Sequence, residues 1–183
     1  MTTLTHRIAR MDDLPALYAL MTRAIEQLQK GFLTAEQVAA SHQVMGIDTQ
    51  LLKDQTYFVI ERAGSIVGCG GWSWRATLFG GDQSIIPREP LPLDPRTDAA
   101  KIRAMYVDPD HARRGIGRLI MELCEDAARA ACFAKTELMA TLAGAELYRA
   151  CGYSEIEPVN ASTRDGVIVP LIRMGKALKA GMG

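Results

Sequence analysis

The chain has 183 residues, 48% of them hydrophobic and 23% charged, a length and balance that suit one globular domain, expected over 1–183. Lys plus Arg and Asp plus Glu both number 21, so the net charge is zero, which argues against nucleic acid or a membrane surface as the main partner. The four cysteines are scattered without a C-x-x-C pair and read as buried reduced thiols, not as a disulfide framework or a metal site. No stretch approaches the ~20 apolar residues of a membrane span. The opening MTTLTHRIARMDDL lacks an apolar core of signal-peptide length, so a cytoplasmic location is expected.

TLTHRIA (3–9) predicts a first strand. Asp12 or Asp13 is placed to cap a helix with Pro15 in its first turn. Leu14, Leu17, Leu20, Met21, Ile25 and Leu28 then recur at helical spacing until Gly31. Thr34 with Gln37 makes a capping-box pattern for a second helix that runs to about Met45 and stops at Gly46. Tyr57 to Ile60 and Ile66–Val67 carry strong strand propensity around a tight turn near Gly64. Residues 76–98 hold four prolines and two glycines and read as a long irregular loop; such loops in compact domains are often functional.

AKIRAMYV (100–107) is the next strand, ended by Asp108-Pro109. A helix with one apolar face follows from about Gly115 to Ala131. TELMAT (136–141) is a short strand, and AGAELYRAC (143–151) a short helix closed by Gly152. YSEIEPV (153–159) and GVIVPLIRM (166–174) are two closing strands, expected to be antiparallel. The order β-α-α-β-β-β-α-β-α-β-β implies an α/β sandwich around a mixed sheet.

The segment HARRGIGR (111–118) joins a strand to a helix start. The first N–H groups of a helix lack internal partners, and its dipole adds positive charge there. Gly115 and Gly117 remove side chains that would keep an anion away, and Arg113, Arg114 and Arg118 supply forked donors. Neither common phosphate fingerprint fits. Ile120 stands where the third glycine of G-x-G-x-x-G belongs, and no G-x-x-x-x-G-K-[ST] occurs. Taken alone, the segment fits a helix opening with a basic rim equally well.

Its surroundings sharpen the reading. MYVDPDHARRGIGRLIMELCEDAARA resembles the coenzyme A pyrophosphate motif of the GNAT superfamily, the acetyl-CoA-dependent N-acyltransferases, with Ala112 where the family usually has Gln or Arg. ATLAGAELYRACGYSEIE is similar to a later GNAT pattern, with Tyr148 on the family's tyrosine and Gly152-Tyr153 on its Gly-aromatic pair. Thr141 stands where the family often has Asn. The resemblance covers most of the chain and is weakest over 76–98. It implies a GNAT-type, mostly antiparallel central sheet flanked by helices.

The resemblance also implies a chemistry. Acetyl-CoA would be the co-substrate, with no metal, and a primary amine, of a small molecule or of a peptide or protein, would attack the thioester directly in a ternary complex. Met105 and Val107 would hold pantetheine as an added strand, and Arg113, Arg114, Gly115, Ile116, Gly117 and Arg118 the pyrophosphate. Tyr148 would be the general acid for the departing sulfur; from the bare residues it is equally a tyrosine packed on a helix face. Some relatives carry a glutamate base at the slot of Lys101, so Asp98, His42 or a water chain remain open as the base. Trp72 and Trp74, with Phe79, either line an amine pocket through cation–π contact or pack in the core. The segment 31–50 would supply the opposite wall. A homodimer is compatible with the resemblance, and nothing in the sequence fixes it. A non-catalytic acyl-CoA sensor and a domain that binds no nucleotide are the rival readings.

Overall fold

The computed structural model describes residues 3–179; residues 1–2 and 180–183 of the expected 1–183 domain lie outside the described residues. The strands are β1 (Leu4–Ile8), β2 (Tyr57–Arg62), β3 (Ser65–Ser73), β4 (Ala100–Val107), β5 (Lys135–Thr141), β6 (Ser154–Ser162) and β7 (Ile168–Ala177). The helices are α1 (Leu14–Leu28), α2 (Ala35–Ser41), α3 (Thr49–Lys53), α4 (Ile116–Ala130) and α5 (Ala145–Ala150). One seven-stranded sheet has the order β1-β2-β3-β4-β5-β7-β6, and β4–β5 is its parallel pair among antiparallel neighbours.

Local chemistry accounts for most boundaries. The Thr34 hydroxyl accepts from the Gln37 N–H, and the Gln37 side chain accepts from the Thr34 N–H, so the expected capping box starts α2. The β2–β3 hairpin turns through Ala63 and Gly64, both at positive φ (50° and 79°), as a two-residue turn requires. Pro15 stands in the first turn of α1, but Asp13 does not cap it. The Asp13 carboxylate instead accepts from the Arg10 N–H and pairs with Arg7 at 2.8 Å. The short helix α3 was not expected; Asp48 caps it through the Gln50 N–H.

The sheet carries apolar clusters on both faces. Helices α4 and α5 cover one face through Ile116, Ile120, Cys124 and Tyr148, against Ile60, Val67 and Ile102. Helices α1 and α3 cover the other through Leu17, Ile25 and Leu51, against Tyr57, Val59 and Tyr106. All four cysteines are free. Cys69 and Cys124 are buried as expected, but Cys151 is only half-buried and Cys132 is exposed in the turn after α4, where the chain has left the core. Among the described residues no helix is long and apolar enough to cross a membrane, and no cluster of His, Cys, Asp and Glu is placed to hold a metal.

The glycines of β3 let α4 lie close on the sheet. A Cβ at Gly68 would stand 2.5 Å from Ile116 Cγ2, and one at Gly70 would stand 2.6 Å from Ile120 Cγ2. Both isoleucines are fully buried, and a branched methyl has little freedom to retreat. Gly68→Ala is therefore expected to destabilise the fold by about 1–3 kcal/mol through overpacking. Urea unfolding reads this directly; an unchanged midpoint would show that α4 is not seated on this glycine.

Candidate active site

The site begins where two strands part. The β4–β5 ladder consists of Ala100↔Thr136 and Lys101↔Glu137, yet β4 continues to Val107 and β5 to Thr141. Beyond the last pair, the edge of β4 that faces β5 has no strand partner. The gap opens into a cleft of about 760 Å³. An ion cluster closes its base: Lys101 Nζ lies 3.0 Å from Glu137 Oε2, and Arg173 Nη2 on β7 lies 2.8 Å from the same oxygen. These two cations hold the Glu137 carboxyl below the usual glutamate range against the effect of burial.

A bulge shapes the β4 wall. Gly71 pairs with Arg103 and Cys69 with Tyr106, so β4 spends one more residue than β3 over that stretch. Ala104 absorbs the extra residue at φ 48°, a left-handed conformation that costs a non-glycine residue roughly 1–2 kcal/mol. The buried Tyr57 hydroxyl donates to the Ala104 carbonyl at 2.5 Å and so holds the distortion in place. The bulge turns both Arg103 and Tyr106 toward the α1–α3 face, although they are three residues apart in a strand. Tyr106 Oη there accepts from the Gly46 N–H at 3.0 Å, and Arg103 reaches Asp48 at 2.9 Å.

At one end of the cleft lies the start of α4. Arg113, Gly115, Ile116, Gly117 and Arg118 line it, together with Met105 and Val107 of β4. No side chain caps α4, so its first N–H groups are free to meet a ligand. Arg113 and Gly115 both have positive φ (62° and 82°), which curls the loop ahead of the helix. Asp108 anchors that loop by accepting from the Asp110 N–H, and Arg23 of α1 holds Asp108 at 2.5 Å and Asp110 at 2.9 Å. Arg114 is exposed and forms no part of the lining.

The two glycines have different reasons. Space is open where a Gly115 Cβ would stand, and its backbone is left-handed. A Cβ at Gly117 would instead lie 2.6 Å from Leu147 Cδ2. Gly117 therefore has a packing role as well: it admits α5 against α4. Tyr148 is the next residue on α5 and lines the cleft. Its hydroxyl makes no hydrogen bond among the described residues, and burial raises its pKa above the ordinary tyrosine value. Thr141 also lines the cleft, with its hydroxyl accepting from the Gly144 N–H at 3.1 Å.

The cleft continues to the α1–α3 face, where Leu28, Gln29, Phe32, Met45, Leu78 and Phe79 line it. The loop 76–98 is stitched there by charge. Asp48 pairs with Arg103 and, at 2.6 Å, with Arg88, which reaches Asp82 at 2.7 Å. Arg103 also donates to the carbonyls of Thr77 (3.1 Å) and Gly80 (2.9 Å). Burial lowers its pKa, and Asp48 opposes that shift. A lone arginine inside the apolar run AKIRAMYV was the one sequence signal for this network, since a buried charge needs a partner.

Comparison with known proteins now bears on this geometry. The family model for the acetyltransferase (GNAT) domain matches residues 53–155, more than half of the chain. The chain belongs to the GNAT acetyltransferase family. No curated protein matches the sequence. Solved structures share the chain's fold, the following three over almost their whole length. A GCN5-related N-acetyltransferase from Rhodopseudomonas palustris has 20% identity and a TM-score of 0.67, covering 97% of this chain and 98% of that one. The ribosomal-protein-S18-alanine N-acetyltransferase of Escherichia coli has 22% identity and a TM-score of 0.58, with 99% and 98% covered. The Salmonella typhimurium protein yncA, solved with its cofactor acetyl-CoA, has 18% identity and a TM-score of 0.61, with 98% and 96% covered.

Within this GNAT domain some expected site residues lie elsewhere. Trp72 and Trp74 line no part of the cleft. Trp72 is buried on the α4 face, edge-on to Phe133 (6.2 Å) and Trp74 (5.8 Å), because its register opposite Ile102 points it there. Trp74 makes a cation–π contact, but with Arg75 at 5.5 Å, which Asp54 holds. Phe79 does line the cleft, as do Val44 to Gly46 of the segment 31–50. Lys101 is tied to Glu137, and His42 stands 3.7 Å from Glu26; neither reaches the cleft lining.

The bulge yields a test. Tyr57→Phe deletes the hydrogen bond to the Ala104 carbonyl with little change in volume, and about 1–3 kcal/mol of stability is expected to go with it. Chemical denaturation measures the loss. A variant as stable as the parent would mean that the bulge holds without this bond.

Proposed function

We propose that this GNAT protein transfers the acetyl group of acetyl-CoA to a primary amine by direct attack in a ternary complex. The observation that carries the reading is one continuous cleft. It runs from the uncapped start of α4, along the unpaired edge of β4, past the Tyr148 hydroxyl, and on to the α1–α3 face.

In this reading the N–H groups of the first turn of α4 hold the pyrophosphate, with Arg113 and Arg118 beside it and Arg114 adding charge at the rim. Pantetheine lies along β4 at Met105 and Val107 as an added strand. The amine enters from the α1–α3 side. Its lone pair forms a C–N bond with the thioester carbonyl, the C–S bond breaks, and the electron pair leaves on sulfur. Tyr148 gives its proton to that sulfur and recovers one from solvent. Burial suits it to this task, because a raised pKa keeps the phenol protonated over the working range. In this reading the nitrogen loses its proton to water; the described lining residues hold one carboxylate, the exposed Glu146 on α5, and no histidine.

That same shortage of bases is what a non-catalytic acyl-CoA sensor would show. Thiol release in the presence of an amine panel decides between the two. Binding of acetyl-CoA without turnover, unaffected by Tyr148→Phe, favours the sensor.

Tyr148→Phe is expected to lower kcat by on the order of 10²-fold or more while acetyl-CoA affinity stays nearly unchanged. Full activity near neutral pH would remove Tyr148 as the acid. Arg118→Glu is expected to weaken acetyl-CoA binding about 10-fold or more, measured by calorimetry, because a charge-assisted contact becomes a repulsive one. An unaltered affinity would place the pyrophosphate elsewhere. The pH profile offers a third check. kcat/KM is expected to climb with the deprotonation of the acceptor's own ammonium and to show no downturn below pH ~10, the ordinary tyrosine value. A downturn in the neutral range would reveal another essential acid.

A further inference from the structure

The acceptor half of the cleft carries no unspent negative charge. Leu28, Phe32, Met45, Leu78 and Phe79 give it an apolar surface, and Phe32 is half exposed at the mouth. Two of its polar groups are already engaged. Gln29 donates to the Ile25 carbonyl at 3.4 Å, and the Tyr106 hydroxyl accepts from the Gly46 N–H at 3.0 Å. Asp48 is the nearby carboxylate, but it is buried between Arg88 (2.6 Å) and Arg103 (2.9 Å) and also caps α3. Asp82 is held by Arg88 and by the Thr49 hydroxyl at 2.7 Å. The charged side chain that does line this half is a cation, Arg103.

A second ammonium group on an acceptor would leave water here and meet apolar walls and an ion cluster (Asp48, Asp82, Arg88 and Arg103) whose charges cancel; the carboxylate lining the cleft outside this half is Glu146, exposed on α5. An alkyl or aromatic body would lose nothing polar and bury its own surface. We infer that the acceptor is a monoamine on an apolar body, and that polyamines and other polycations are excluded. The inference rests on the acetyl-transfer reading above and narrows it to a substrate class. The reacting amine enters uncharged, so that its nitrogen can form the new bond to the acetyl carbon as the C–S bond breaks; its proton goes to water and the thiol leaves protonated.

A matched pair of acceptors tests this with the full chain. Hexylamine and 1,6-diaminohexane have the same length and differ by one ammonium group, and 2-phenylethylamine and spermidine extend the comparison. Release of coenzyme A thiol from acetyl-CoA gives kcat/KM for each. The expected result is at least a ~10-fold preference for hexylamine over the diamine, a difference of about 1.4 kcal/mol. Phe79→Glu adds a carboxylate to the wall and is expected to shift the ratio toward the diamine by a similar factor; Met45→Glu serves the same purpose from the facing segment. Diamine turnover equal to or above that of hexylamine in the parent overturns the inference while leaving acetyl transfer intact. Acetyl-CoA that fails to bind in calorimetry, or binds without transfer to any of the four amines, overturns both.

Discussion

The parting of β4 from β5 after the Lys101–Glu137 pair is the constraint on which the rest depends. A sheet normally pairs every interior edge, because an unpaired N–H or C=O inside a protein is costly. Here an interior edge is left open on purpose, and its beginning is fixed by the carboxylate of Glu137 between Lys101 and Arg173. Just beyond, the left-handed Ala104, held by the Tyr57 hydroxyl, bulges β4 against β3. Helix α4 then needs to sit at one particular height above that edge, which the bare Gly68 and Gly70 allow.

The order of elements was legible because its signals are local. The spacing of Leu17, Leu20 and Ile25, the Thr34–Gln37 box and the Asp108-Pro109 stop each act within a few residues. So was the start of α4, where glycines and arginines crowd one turn. What stayed hidden depends on partners far along the chain. Five residues are too few to show the periodicity of α3. Ala104 carries no mark of its left-handed backbone, since Tyr57, 47 residues earlier, holds it. The indoles of Trp72 and Trp74 fitted an amine pocket or core packing equally, and strand register decides for Trp72: opposite Ile102 it packs on the α4 face, with Trp74 edge-on to it. Lys101, at the slot where some relatives carry a glutamate base, clamps Glu137.

The two halves of the cleft are built differently. The α4 end is made of backbone: uncapped N–H groups, a left-handed Gly115 and a loop tied to α1 through Arg23. The other end is made of side chains on α1 and on the 76–98 loop, which Asp48, Arg88 and Arg103 pin to the sheet by charge. Backbone geometry can recognise a group common to many molecules. A wall of exchangeable side chains can be altered one residue at a time without disturbing it.

An open strand edge in the middle of a sheet is, in any other setting, an invitation to aggregate. Here β5 stands across the gap and helices pack on both faces, so the open edge lies inside the sheet and not at its border. What can reach it is something narrow enough to slide in without a sheet of its own. In the proposed reading the cleft would act as a gauge of thickness before it acts as a chemical site, with room for a slender extended chain and none for a second sheet.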